Sequence, residues 1–173
     1  MRTGCSKTHI SVVRTIPVVA VWVMMAIFMT MPAIAAEVHA VTLTMGEYRF
    51  VPATIQLKVG EEVELTIRNQ GKSTHEWLIG SGLVKEPDGK GFQEDLFALL
   101  KPTETGRRYS LEWAGMASAP EPIPRISSGV RVDPGGEITL RFVVPDSARG
   151  EWQMACLFSG HYETGMKGTL RIE

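Results

Sequence analysis

The chain has 173 residues, 18 basic and 19 acidic side chains, and two cysteines. That length holds one domain, or at most two small ones. A net charge of −1 excludes the basic stripe of a nucleic-acid binder, and two cysteines exclude a disulfide framework.

The first element in chain order is a targeting segment. Arg2, Lys7 and Arg14 precede an uncharged stretch, residues 16–29 are almost purely apolar, and the small-residue run Ala33-Ile34-Ala35 follows. A basic start, a short apolar core and an A-x-A site describe a secretory signal peptide. The apolar core is short for a membrane span, which needs about 20 residues. Residues 1–36 are therefore expected to be cleaved and the protein to be periplasmic, with a membrane anchor only if cleavage fails. Cys5 precedes the apolar core and so cannot serve as a lipoprotein cysteine. The removed part carries three basic residues and no acid, so the mature chain has 137 residues and a net charge of −4. It keeps one cysteine, Cys156, in a compartment that favours disulfides. A lone thiol there is open to oxidation unless something occupies it.

The mature chain alternates apolar and polar residues in short runs. Residues 41–45, 55–59 and 63–68 read as strands, with a hairpin-length turn at 60–62 and another turn at 69–72. Residues 77–79 form the next strand candidate. The segment 81–128 is rich in Gly, Pro and charge and is expected as an insertion. Within it, 93–101 reads as a short helix, 109–113 as a strand and 119–124 as extended. A turn at 133–136 precedes strands at 138–144, 151–157 and 169–172. Short strands at this spacing predict an all-β sandwich spanning residues 37–173.

One segment carries chemistry. Cys156, His161 and Met166 follow one another at C-x4-H-x4-M spacing in a loop between two predicted strands, with Gly160 and Gly165 placed for sharp turns. His75 lies upstream at the start of a predicted strand. Thiolate, imidazole and thioether form a soft, mixed donor set. Two His and one Cys with a weak axial Met define a blue-copper site. Structural zinc draws on four Cys or His ligands, which this set does not supply. The bland alternative has Cys156 and Met166 in the core and His161 at the surface. Trp77, Trp113 and Trp152 are expected in the core, and Met45, Met116 and Met154 as packing. His39 is expected as a solvated tail residue.

These segments resemble the cupredoxins, the small blue copper proteins. Residues 156–168 (CLFSGHYETGMKG) are similar to the ligand loop of that family, with the loop length of auracyanins and rusticyanins. Residues 69–80 (NQGKSTHEWLIG) resemble the first-histidine segment of bacterial plastocyanin/azurin-like proteins, and residues 48–61 their opening strands. The resemblance implies a Greek-key sandwich with one type 1 copper near one end. It implies His75, Cys156 and His161 as equatorial ligands and Met166 as the axial one. Three positions depart from the pattern: Ser159 replaces a common proline, Met154 a common aromatic, and Glu76 the asparagine of azurins and plastocyanins.

The expected function is single-electron transfer between periplasmic redox partners such as a cytochrome or an oxidase. The alternative is copper binding for tolerance or buffering. An enzymatic role is not expected, because copper oxidases and nitrite reductases need further copper centres, and the mature chain has three histidines.

Overall fold

Strand β4 (Glu62–Asn69) shows how this sequence makes sheet. Val63, Leu65 and Ile67 are buried while Glu62 and Arg68 are exposed, because successive side chains of a strand point to opposite faces. The computed structural model describes residues 37–85, 90–113 and 126–173. The predicted signal segment, residues 119–124 and Met116 lie outside the described residues.

The other strands are β1 (Val38–Gly46), β2 (Arg49–Val51), β3 (Thr54–Leu57), β5 (His75–Val84), β6 (Gly91–Asp95), β7 (Thr103–Glu112), β8 (Gly129–Val143), β9 (Gly150–Ala155) and β10 (Lys167–Ile172). Among the described residues, two short α-helices, α1 (Leu96–Leu100) and α2 (His161–Thr164), and a 3-10 turn at Asp146–Ala148 accompany the strands. The strand order is β2-β1-β4-β8-β5-β9-β10-β3, with β6 added to β5 and β7 to β8. β1 runs parallel to β4 and β3 parallel to β10; the other pairings are antiparallel. The sheet folds over one core lined by Leu43, Leu65, Trp77, Ile138, Met154 and Leu170, among others. The result is the expected β-sandwich.

The chain turns near residue 60 as expected, where Glu61 N–H donates to Lys58 O at 3.1 Å, but two predicted turns differ in what they connect. Residues 60–62 do not close a hairpin. β3 pairs with β10 and β4 with β1 and β8, so this loop carries the chain between distant parts of the sheet. Alternation marks a strand but not its partner. Residues 133–136 do not reverse the chain either. β8 runs through them, pairing with β5 before the bend and with β4 after it. Pro134 removes one ladder donor, and Gly135 takes a left-handed φ of 71°, so one strand serves two neighbours.

The described part of segment 81–128 is built into the sheet through β6 and β7. The helix is shorter than 93–101, because residues 91–95 are drawn into pairing with β5. Asp95 caps α1 by accepting from Ala98 N–H at 3.0 Å, and Leu96, Phe97 and Leu100 are buried. Trp77, Met45 and Met154 are core residues as expected, and Trp152 is partly buried. Trp113 is not in the core: it is 47% exposed, edge-on to Phe97. His39 is no tail residue. It lies in β1, and its Nδ1 meets Glu61 Oε2 at 3.1 Å.

Candidate metal centre

The centre forms where two neighbouring strands meet end to end. β5 and β9 are antiparallel, with Leu78 opposite Ala155. The start of β5, which carries His75, therefore lies beside the end of β9, which leads into Cys156. The first six residues of β5 are all buried, as expected for a strand covered on both faces.

The loop after Cys156 is closed by its own backbone. Cys156 N–H donates to Met166 O, Met166 N–H to His161 O, and His161 N–H to Phe158 O, at 2.9–3.1 Å. Gly160 and Gly165 bracket α2 with φ of 79° and 119°, values that cost an L side chain strain. The glycines thus let the chain make one helical turn and place His161 at its start.

His75, Cys156 and His161 converge. Their donor atoms all lie within 4.8 Å of one another. His75 Nδ1 is 3.3 Å from His161 Nδ1, and Cys156 Sγ is 3.3 Å from that same nitrogen. His75, Cys156 and Met166 are fully buried, whereas His161 is half-buried. Tyr48 and Phe158 place ring edges against His161, at centroid distances of 5.0 and 5.8 Å. The Arg131 guanidinium carbon stands 5.0 Å from the centre of the Phe158 ring.

Glu76, the departure from the asparagine pattern, works at two points. Its backbone N–H donates to Cys156 Sγ at 3.4 Å. Its carboxylate accepts from Leu157 N–H at 2.8 Å. It is completely buried and ties the ligand loop to β5. Tyr48 and Glu47 escaped the sequence reading as site residues. They sit in the turn between β1 and β2, and their only signal was the resemblance of the strands that follow.

Electrostatics prepares the donors. Burial lowers the pKa of His75, and His161 lowers it further, while Glu47 opposes both. His75 is therefore held neutral, as a ligand must be. Burial pushes the Cys156 thiol up to about 12, with the nearby Glu76 carboxylate adding to the rise. In the metal-free protein this thiol is protonated at neutral pH. Binding a metal through the thiolate is expected to release one proton per copper, measurable by loading a weakly buffered sample.

The same shift has a sign for stability. An unfolded thiol ionises near 9.0, the folded one near 12. Between these values the unfolded chain sheds a proton that the folded chain keeps, so stability falls as pH rises. The slope is at most about 1.4 kcal/mol per pH unit. Thermal unfolding of the metal-free protein between roughly pH 8 and pH 11 should show this loss, and Cys156→Ser should lack it.

Two imidazoles and a thiol converging on one point, with no fourth Cys or His among these donors, fit copper better than structural zinc. The arrangement accommodates one type 1 copper. A β-sandwich carrying this site has the architecture of a cupredoxin.

A cupredoxin-like domain model matches residues 18–96. The copper-resistant cuproprotein CopI of Pseudomonas aeruginosa is 29% identical over 153 residues, covering 82% of this chain and 81% of its own length. CopI of Rubrivivax gelatinosus is 30% identical over 126 residues, which is 72% of this chain and 59% of that protein. Among solved structures, reduced auracyanin from Roseiflexus castenholzii shares 20% identity at a TM-score of 0.49, covering 80% of this chain and 99% of that one.

Proposed function

We propose that the chain is an exported type 1 copper protein that exchanges single electrons, with His75, Cys156 and His161 as equatorial ligands and Met166 as the axial one. The observation that carries this reading is the convergence of the two Nδ1 atoms and Sγ in a buried pocket. Bound copper supplies a one-electron couple. The chain's own residues hold the donors in place: the Glu76 N–H fixes Sγ, and the closed loop fixes His161. Burial keeps water from three of the four donors. Half-buried His161, ringed by Tyr48 and Phe158, is the donor nearest a docked partner, for which a cytochrome or an oxidase is the expected class. No helix of the described residues is long and apolar enough to cross a membrane.

The test is a visible spectrum together with copper stoichiometry. One copper per chain with an intense thiolate-to-copper band supports the reading, and the absence of that band in copper-loaded protein sinks it. No catalytic turnover belongs to this reading. Oxygen or nitrite consumption by the isolated protein would overturn that part.

A second reading is copper tolerance. It is favoured by the two relatives called copper-resistant cuproproteins, one of which aligns over about four fifths of both chains. The same four residues serve both roles, so the discriminating measurement is made on cells. Deleting the gene should produce copper sensitivity under this reading. Under the first it should produce a respiratory or photosynthetic defect at ordinary copper levels.

A further inference from the structure

His75 turns Nδ1 toward His161, so its Nε2 faces away from the centre. That nitrogen is buried and has no hydrogen-bond partner among the described residues. An imidazole that gives Nδ1 to a metal carries its proton on Nε2. Such a ring nearly always donates that N–H to a carboxylate, a carbonyl or a water, and this outer contact sets the ring's orientation and basicity.

The carboxylate nearby is Glu47. Both Glu47 Oε2 and His75 Nε2 come within 2.9 Å of where a Cβ on Gly71 would lie. The two atoms therefore share the space that a glycine leaves open. The other carboxylate oxygen, Oε1, accepts from the N–H groups of Lys72 and Ser73. Oε1, at 3.0 Å from the same point, anchors the side chain, so the carboxylate as a whole stands beside the His75 ring without yet bonding its Nε2. The next residue, Tyr48, sits at φ 60° and lays its ring against His161. A single two-residue turn thus lies beside both histidines.

We propose that Glu47 is a positioning residue for the copper centre: its Oε2 takes the Nε2–H of His75, and Gly71 is glycine so that the two can meet. This rests on the copper reading above. A carboxylate on that N–H makes the imidazole a stronger donor, so it favours Cu(II) over Cu(I). The turn between β1 and β2 then acts as a brace behind the ligands, tuning the upstream one through charge.

Glu47→Gln tests this, because an amide oxygen still accepts from Lys72 and Ser73 while the charge is gone. The expected result is Cu(II) affinity lower by roughly tenfold, a smaller change for Cu(I), and an unaltered thermal midpoint of the metal-free protein. Equal losses for both ions with a lowered metal-free midpoint would mean a merely structural role and would overturn the proposal. So would unchanged affinities. A second measurement needs no variant. In the Cu(I)-loaded wild type, nitrogen-resolved NMR should show a slowly exchanging His75 Nε2–H, and its absence overturns the proposal even if the variant fails to fold. Gly71→Ala, which drives a methyl between the two groups, should reproduce the Cu(II) loss. A wild-type visible band with an unchanged variant defeats this inference alone, whereas no band in the wild type defeats the copper reading itself.

Discussion

Cys156→Ser is expected to abolish the visible thiolate band of the copper-loaded protein and to remove Cu(I) binding at stoichiometric concentration. The cause is chemical rather than structural. Sγ is the single soft anionic donor among the three convergent atoms, and a serine hydroxyl neither ionises at neutral pH nor offers a polarisable lone pair to Cu(I). The replacement keeps shape and local bonding. A hydroxyl at that point can accept from Glu76 N–H and donate to His161 Nδ1, the two groups Sγ already meets. The metal-free variant should therefore lose no more than about 1 kcal/mol of stability, the scale of one altered hydrogen bond. Absorption and copper titration, read beside a thermal melt, separate the two effects. A variant that keeps the band would remove Cys156 from the centre.

Trp77→Ala is expected to cost about 3–5 kcal/mol, the range for deleting a large buried aromatic. Trp77 has no exposure and lies two residues after His75 in the central strand. Phe97 of α1 meets it edge-on at 6.4 Å, so truncation leaves a cavity between the sheet and that helix. For a domain of this size the thermal midpoint should fall by roughly 10–20 °C. Because β5 carries both Trp77 and His75, the variant should also bind copper less tightly. Calorimetry of the metal-free protein measures the first effect. A midpoint within a few degrees of wild type would mean that the core re-collapses around the gap.

The ligand loop was the most legible part of the chain. Cys156, His161 and Met166 lie within eleven residues, so their spacing and the two glycines are written locally. The glycine φ values bear that out. His75 was legible for a different reason: few histidines competed for the role, and it stood at the start of a strand. The strands were readable because burial on one face imposes a period of two, and β4 and β8 show that period in their burial.

Less legible was everything that depends on which strand meets which. Residues 60–62 looked like a hairpin because length and composition allow one, yet β3 leaves to join β10. Residues 133–136 looked like a reversal, yet they are an unpaired irregularity within β8, which resumes pairing with β7 on their far side and exchanges β5 for β4. Trp113 looked like core, yet it is 47% exposed and touches the core through Phe97. Glu76 was legible only as a departure from the family pattern; its bonds to Cys156 Sγ and Leu157 N–H were not, since they join atoms brought close by pairing rather than by chain order.

By itself, the sequence determined the strand-forming segments, the candidate donors and the glycines that shape their loop, because these depend on residue type and on neighbours a few positions away. Tertiary structure alone decided the partner of each strand and the convergence of His75 with a loop about eighty residues downstream. It also decided which carboxylates stand behind the ligands. Hydrogen-bond ladders are alike for every strand, so only the shared burial of many side chains selects one pairing over another.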